Sequence, residues 1–264
     1  MREISLEERK KLQLDMLVKI HDICQDNGWR YYMSSGTLLG AVRHKGYIPW
    51  DDDIDIMMPR FDYEQLCAFF SSRDKDENIR LISYRDKTSI YPFAKMVDSR
   101  TIVFEHYVDP MYRTGVWVDI FPLDGVKKND ETPFDFNDKI KSKYDIVIAD
   151  TRYGTSHFRR MAKTVLKAFS RNVDVFKLAR SLDEFAASTP ICPENDVAMV
   201  IWGYGRGERM PYSVLERTEL EFEGHTFYAP RQYDLYLQSL FGDYMTPPPE
   251  NLRTAYFCSA YWKE

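Results

Sequence analysis

Several kinds of protein are excluded by what this 264-residue sequence lacks. No apolar run approaches the roughly 20 residues that cross a bilayer as a helix, and the charged opening, residues 1–11, is not expected to be a signal peptide. The four cysteines form no CxxC pair, so neither a zinc site nor a disulfide framework is predicted, and a reducing cytoplasm is the expected location. With a net charge of −5, the chain is not expected to bind nucleic acid.

The composition is sufficient for a sizeable hydrophobic core. Hydrophobic residues make up 44% of the chain, and its length allows one large domain or a domain with a helical addition. Ser5-Leu6-Glu7-Glu8 is a capping box, which predicts that a helix begins there, and Gly28 is the expected stop.

Four aspartates fall within five residues, at Asp51, Asp52, Asp53 and Asp55. Apolar residues alternate with them, which predicts a β-strand with one face in the core and Asp51, Asp53 and Asp55 on the other. Carboxylates that share a face repel each other unless a cation lies between them. Hard oxygen ligands suit Mg²⁺ or Mn²⁺, and substrate phosphates usually complete the coordination of such an ion.

Two other interpretations of the aspartates are open. Acidic runs are commonly solvated turns, although the apolar neighbours of this one argue against full exposure. A calcium loop is the second interpretation, since Asp51, Asp53, Asp55 and Asp62 have the spacing of EF-hand ligands. That motif requires glycine where this chain has Ile56.

Small residues precede the aspartates at Ser35, Gly36 and Thr37, ahead of a predicted short helix. A turn of small residues that opens a helix presents backbone N–H groups and the positive end of the helix dipole, so it is a candidate phosphate cradle. Arg43 follows in a basic loop, which either neutralises a diphosphate or is simply solvated.

A second strand with a carboxylate is predicted at residues 115–125, GVWVDIFPLDG. Asp119 lies between two apolar residues there, and a lone carboxylate is costly to bury without a partner. A metal ion shared with Asp53 and Asp55 would be such a partner. Asp124 is expected to form a turn with the glycine that follows it.

These segments resemble a known family. Residues 36–59, GTLLGAVRHKGYIPWDDDIDIMMP, are similar to the signature of the LicD family, phosphotransferases related to the fukutin proteins. DIFPLDG at residues 119–125 and GDYM at 242–245 match two further family segments, although the histidines that often follow the latter are missing. The resemblance implies one α/β (α+β) domain over residues 1–264. Its fold would be a nucleotidyltransferase-like mixed sheet flanked by helices, with a mainly helical insertion at about 134–190.

The resemblance also implies roles for individual residues. Metal ligands are expected at Asp53, Asp55 and Asp119, with Mg²⁺ or Mn²⁺ as the cofactor. Asp51 is then either a further ligand or the base that deprotonates the acceptor hydroxyl. Lys95 matches a family lysine and is expected to contact phosphate.

The substrates follow from the resemblance as well. Proteins of this family transfer phosphocholine from CDP-choline to a sugar hydroxyl of a cell-surface glycan, such as teichoic acid or lipopolysaccharide, and release CMP. The implied partners here are a CDP-alcohol donor and a glycan acceptor, which can be lipid-linked. Relatives transfer ribitol or glycerol phosphate instead. The 18 tyrosines could form a cage for a quaternary ammonium, but their number does not show one.

Functions of other classes use or tolerate the same residues. A nucleotidyltransferase would release pyrophosphate instead of CMP. A GT-A glycosyltransferase also uses an Asp-x-Asp motif with a metal, but it would add a sugar. A glycan-binding protein without activity would not need the carboxylates.

Two later segments complete the predicted contacts. The glycine-rich loop at 203–209 would bring Tyr204 and Arg206 to a ligand. At 158–176, apolar residues recur at helical spacing with arginine and lysine on another face, and Asp174 is the only acid between residues 152 and 180. Such a helix either lies peripherally on the inner face of a membrane or has an ordinary solvated face.

Overall fold

The structure is a computed structural model that describes residues 1–72, 78–153, 157–253 and 258–264, with only the backbone of residue 159. In this part of the chain the helices are α1 (Leu6–Asn27), α2 (Ser35–His44), α3 (Arg60–Ser71), α4 (Thr132–Ile148), α5 (His157–Phe169), α6 (Val175–Ala186) and α7 (Tyr233–Phe241). The strands are β1 (Arg2–Glu3), β2 (Tyr32–Met33), β3 (Asp55–Pro59), β4 (Ile79–Ile82), β5 (Ala94–Glu105), β6 (Thr114–Val126), β7 (Asp196–Ala198), β8 (Met210–Pro211), β9 (Arg217–Phe222), β10 (His225–Pro230) and β11 (Cys258–Trp262).

One mixed sheet holds most of these strands. Its order is β1-β11-β5-β6-β3-β2, with β4 beside β5 and with β7 and β8 continuing from β6. Strands β3 and β6 are parallel, whereas β5 is antiparallel to β6. Strands β9 and β10 form a separate hairpin. The predicted α/β class, a mixed sheet flanked by helices, is confirmed.

Strand β6 is the buried centre of the sheet. Every residue from Gly115 to Val126 is buried, and strands covered on both faces are nearly continuous apolar runs. Helix α1 packs against β6 through a buried stripe that includes Met16, Leu17 and Ile20. A carboxylate on β6 is therefore surrounded by the core except where the end of the sheet opens.

Helix α1 begins and ends where the sequence predicts. The N–H of Glu8 donates to Ser5 Oγ at 3.1 Å, and the N–H of Ser5 donates to the Glu8 carboxylate at 3.0 Å. A cap of this kind contributes about 1 kcal/mol. Gly28 ends the helix with φ 70°, in the left-handed region that glycine adopts without strain.

The predicted strand through the aspartates is wrong in extent, because β3 begins only at Asp55 and residues 51–54 lie outside it. The N–H of Asp51 donates to the Ile48 carbonyl in a turn at 2.9 Å. The Asp52 carbonyl accepts the side-chain amide of Gln13 at 3.0 Å instead of pairing with a neighbouring strand. These bonds hold the segment as a loop.

Asp124 does not form the predicted turn. It lies within β6 and is buried, and its two carboxylate oxygens accept hydrogen bonds from Arg60 at 2.7 and 2.6 Å. A bidentate guanidinium satisfies a carboxylate that the apolar strand would otherwise leave unpaired.

The predicted helix at 158–176 is two helices, α5 and α6. The Asp174 carboxylate accepts the backbone N–H groups of Phe176 at 2.9 Å and Lys177 at 3.3 Å, so it caps a new helix and ends the old pattern. Helices α4, α5 and α6 lie in the region expected to be mainly helical. Its status as an insertion in a single domain stays a prediction. No helix of the described residues is long and apolar enough to span a membrane.

Candidate active site

Asp55 and Asp119 lie side by side on the parallel strands β3 and β6. They are paired in the register of these strands, and Lys95 of β5 is paired with Asp119 from the other side. The N–H of Asp119 donates to the Ile54 carbonyl at 2.9 Å, which fixes this register. The structure therefore brings together carboxylates that are 64 residues apart in the chain.

The loop before β3 brings further carboxylates. One carboxylate oxygen each from Asp51, Asp52 and Asp53 lies within 4.8 Å of the others. Asp52 differs from its neighbours because it forms an ion pair with Arg9 of α1. The loop therefore contributes Asp51 and Asp53 to the site, whereas Asp52 fastens the loop to α1.

Burial and mutual repulsion dominate the electrostatics of the site. Burial raises the pKa of Asp53 well above its usual range, and the charges of Asp55 and Asp51 raise it further. Burial and then the charge of Asp119 raise the pKa of Asp55 in the same way. The pKa of Asp51 is also raised, mainly by burial.

Lys95 is the partner of Asp119. Its Nζ lies 2.8 Å from Asp119 Oδ1, and the residue is 2% exposed. The ring centroids of Trp117 and Tyr91 lie 4.2 and 4.3 Å from the same ammonium, so it is enclosed by aromatic faces. Trp117 Nε1 also donates to Asp119 Oδ2 at 3.1 Å. This arrangement gives Lys95 a partner within the protein, and its contact with phosphate stays a prediction.

The chemistry of these carboxylates fits a divalent cation. Asp51, Asp53, Asp55 and Asp119 offer hard oxygen donors. A bound cation would offset the burial and the repulsion that raise the pKa values of Asp53 and Asp55. The predicted ligands are Asp53, Asp55 and Asp119, while the oxygens within 4.8 Å of one another belong to residues 51–53. Asp51 is thus a stronger ligand candidate than the sequence pattern indicates.

The start of α2 lies against this cluster. A Cβ on Gly36 would be 2.5 Å from Asp51 Oδ2, so only glycine fits there without displacing the carboxylate. Thr37 Oγ1 accepts the N–H of Asp55 at 2.8 Å, which ties α2 to β3. Ser35 has φ 47°, a conformation that non-glycine residues adopt mainly at special sites. The N-cap Ser34 makes no side-chain capping bond, and the first turn of α2 contains no acid. Such a helix start suits an anionic group.

Arg43 lies against the ring of Trp50, the residue that precedes the aspartates. The Arg43 guanidinium carbon is 6.0 Å from the centroid of this ring, and that of Arg253 is 4.5 Å from it. Arg43 also donates to the Tyr244 carbonyl at 2.5 Å. Burial and then the positive charge of Arg253 lower the pKa of Arg43. A bound anion would reduce this repulsion.

Tyr204 and Arg206, which are predicted to contact a ligand from the glycine-rich loop, have different surroundings in the structure. Burial and then the charge of Asp55 raise the pKa of Tyr204 to about 12, so this phenol lies within electrostatic range of the carboxylates. Arg206 turns instead to the acids of α4 and its N-terminus. It forms ion pairs there with Glu131, at 2.8 Å, and with Asp135.

Glu208 is a residue that sequence reasoning missed. It is 1% exposed; its carboxylate accepts the Tyr236 hydroxyl at 2.9 Å and the N–H of Tyr204 at 3.2 Å. Burial raises its pKa to about 7. Tyr236 belongs to α7, which packs against α2. Glu208 thus connects the loop to α7 and, through it, to α2. An acidic residue in a glycine-rich loop is normally exposed to solvent. No pattern in the sequence therefore predicts that Glu208 is buried and accepts these hydrogen bonds.

Comparison with known proteins places these residues in a family. The model of the LicD/FKTN/FKRP nucleotidyltransferase domain matches residues 28–147. The chain is 29% identical over 258 residues to the lipopolysaccharide cholinephosphotransferase LicD of Haemophilus influenzae, covering 95% of each protein. An uncharacterized protein of Rickettsia typhi is 33% identical over 126 residues, which is 45% of this chain and 40% of that protein. One of Rickettsia prowazekii is 53% identical over 49 residues, or 18% of each chain.

The matched segment contains the carboxylates of both strands, the start of α2 and Lys95, whereas the loop with Tyr204 and Glu208 lies outside it. The chain therefore carries a LicD-family domain at residues 28–147.

Proposed function

We propose that this protein transfers phosphocholine from CDP-choline to a sugar hydroxyl of a cell-surface glycan and releases CMP. The observation that carries the proposal is a cluster of carboxylates beside the start of α2. Asp55 pairs with Asp119 across β3 and β6, the charges of Asp55, Asp51 and Asp119 act on Asp53, and Asp51 lies against Gly36. Phosphoryl transfer requires charge neutralisation and positioning more than covalent chemistry from the protein. Similarity to a lipopolysaccharide cholinephosphotransferase over 95% of the chain supports phosphocholine as the transferred group.

Asp53, Asp55 and Asp119 would hold Mg²⁺ or Mn²⁺, with Asp51 either as a further ligand or as the base that takes the acceptor proton. Such an ion, when bound, neutralises phosphate oxygens and stabilises the charge that develops during transfer. Lys95 supplies a fixed positive charge behind Asp119. Burial raises the pKa of Asp119 and Lys95 opposes that rise, so Lys95 favours the ionised carboxylate that a metal ligand requires.

Asp51 is the candidate base for the acceptor. In the proposed reaction the acceptor oxygen forms a bond to the phosphorus of phosphocholine. The bond from that phosphorus to the CMP oxygen breaks, and the hydroxyl proton passes to the Asp51 carboxylate. Burial raises the pKa of Asp51, which makes it a better proton acceptor than an ordinary aspartate. The start of α2 would hold the donor diphosphate, and Arg43 would offset its remaining charge.

The choline group needs an aromatic partner other than Tyr91 and Trp117, because Lys95 already lies against both rings. Tyr204 is the candidate, since its phenol lies near the carboxylates in a loop of glycines. A quaternary ammonium is attracted to such a ring face. A lipid-linked acceptor would place the reaction in the cytoplasm, at the inner face of a membrane.

Alternative reactions would use the same carboxylates. A CDP-ribitol or CDP-glycerol donor would yield an alditol phosphodiester, and a nucleotidyltransferase would release pyrophosphate. The acceptor glycan can be of the lipopolysaccharide or the teichoic acid type. The Haemophilus influenzae relative is a lipopolysaccharide cholinephosphotransferase, which favours phosphocholine and lipopolysaccharide.

The test has two stages. First, thermal unfolding is measured with Mg²⁺ and each of CDP-choline, CDP-ribitol and CDP-glycerol. A donor at a hundred times its dissociation constant adds about 2.7 kcal/mol to the free energy of unfolding. Second, the stabilising donor is incubated with deacylated lipopolysaccharide or teichoic acid, and the glycan mass and the nucleotide product are determined.

We expect stabilisation by CDP-choline, a glycan heavier by one phosphocholine, and CMP. Pyrophosphate as the product, or stabilisation by a CDP-alditol alone, would contradict the proposal. Asp53→Asn is expected to abolish transfer, while Asp145→Asn is the matched control, because Asp145 is an exposed aspartate of α4.

A further inference from the structure

Helix α5 carries its apolar side chains on the solvent side. Phe158 is 79% exposed, Met161 68% and Phe169 86%. Their spacing puts these side chains on one face of the helix, and Val165 and Leu166 extend that face with 53% and 50% exposure. A surface helix of a globular protein normally packs its apolar face against the core, so this orientation is inverted.

Contacts of the opposite face hold α5 in this orientation. Lys167 Nζ donates to Asp109 Oδ2 and to the Ala149 carbonyl, both at 2.6 Å. Lys163 Nζ donates to the Tyr153 carbonyl at 3.1 Å. The helix cannot roll to bury its apolar face without breaking these bonds between its lysines and the body of the protein.

Apolar side chains are also exposed next to the helix. Tyr107 and Met111 flank Asp109, to which Lys167 binds, and they are 59% and 67% exposed. We call the apolar face of the helix itself the α5 surface, and it comprises Phe158, Met161, Val165, Leu166 and Phe169. An exposed apolar area of this kind on a single chain marks an interaction site.

The charge around the α5 surface identifies its partner. Residues 151–180 contain eight arginines and lysines and one acid, Asp174, in a chain whose net charge is −5. Lys163 and Lys167 bind the body of the protein, and Arg152 pairs with Asp150. The other cations with described side chains are at least partly exposed: Arg160, Arg171, Lys177 and Arg180. We propose that the α5 surface docks on an anionic lipid membrane, with the two phenylalanines at the level of the acyl chains and the surrounding cations near the headgroups. Apolar side chains flanked by cations are what such an interface binds.

A second copy of the chain fits this surface less well. Symmetric dimers pair a surface with itself, so the cationic segments of two copies would face each other. An anionic membrane satisfies the apolar side chains and the cations together. The proposal does not depend on the transfer reaction, because vesicle binding is measured without donor or acceptor.

The experiment uses the full chain and vesicles of phosphatidylcholine with or without phosphatidylglycerol, separated by flotation. Phe158→Ser/Phe169→Ser is the test variant, and Phe61→Ser is the matched control, since Phe61 is 68% exposed on α3. We expect wild-type protein to bind vesicles that contain phosphatidylglycerol and to bind less as salt rises. The affinity of the double variant for these vesicles should be at least about tenfold lower than that of wild type. The control should bind like wild type.

Each variant is expected to fold, because the substituted side chains are exposed, and circular dichroism verifies this. The proposal is overturned if wild-type protein does not bind the anionic vesicles, if it binds neutral vesicles equally well, or if the double variant binds like wild type. The proposal is also overturned if the wild-type protein forms a dimer, the double variant is a monomer, and neither binds vesicles. Sedimentation velocity distinguishes the dimer from the monomer.

Discussion

The Lys95 ammonium and the Asp119 carboxylate lie 2.8 Å apart on neighbouring strands, 2% and 8% exposed respectively. In this position Lys95 is a cation built into a site of several carboxylates. Removing one member of a buried ion pair leaves the other charge uncompensated, which costs more than the pair itself contributes to stability. The pair is therefore a sensitive point for both folding and function.

Lys95→Met is expected to lower the free energy of unfolding by about 3 to 5 kcal/mol, because it leaves Asp119 buried without its cation. Adding Asp119→Asn should restore part of this loss, since the uncompensated charge disappears. Urea unfolding of the two single variants and the double variant gives the coupling energy. Additive effects of the two substitutions would contradict the pairing.

Asp53→Asn is expected to separate stability from function. Burial and neighbouring carboxylates raise the pKa of Asp53, so a neutral side chain relieves repulsion and should raise the melting temperature in EDTA. The same variant should no longer be stabilised by Mg²⁺ or Mn²⁺ as wild-type protein is. It should also lose its transferase activity. Thermal unfolding with EDTA and with each ion measures both effects. Equal stabilisation of variant and wild type by the ion would count against Asp53 as a ligand.

Gly36→Ala is expected to reduce activity with little loss of stability. Alanine favours a helix by up to about 1 kcal/mol over glycine, but its Cβ would meet Asp51 Oδ2 at 2.5 Å and displace that carboxylate. Misplacement by about 1 Å can cost a hundredfold in rate. Steady-state kinetics and urea unfolding of Gly36→Ala are compared with those of wild-type protein. Full activity of Gly36→Ala would show that Asp51 is not held as described.

Local patterns in the sequence predicted the features that depend on few neighbours. The capping box at Ser5, the stop at Gly28 and the aspartate on β6 follow from short-range rules and lie where expected. The extent of β3 was missed because tertiary bonds decide it, such as that from Gln13 to the loop of aspartates. The loop sequence alone predicts that Arg206 contacts the ligand. In the structure Arg206 binds acids of α4, which lie about 70 residues away in the chain.

Glu208 is the converse case, a residue that belongs to the site but that its local sequence does not indicate, because its burial against Tyr236 depends on a helix that begins 25 residues later.

The burial of Glu208 makes the stability of the protein depend on pH. Its pKa is raised from 4.5 to about 7 in the folded protein. Between these two values the folded state still binds a proton that the unfolded state has lost. Stability from this group is therefore fully present below about pH 4.5 and is lost as pH rises through about 7.

Glu208→Gln is expected to abolish this pH dependence, because glutamine keeps the acceptor for Tyr236 but does not titrate. The free energy of unfolding of the variant, relative to wild type, should rise by about 3 kcal/mol between pH 4.5 and pH 7.5. Urea unfolding across this range measures the difference, with Glu184→Gln, at an exposed position on α6, as the control that should show no such rise. A constant difference between Glu208→Gln and wild type would mean that Glu208 titrates like an exposed acid, and its described burial against Tyr236 would be wrong.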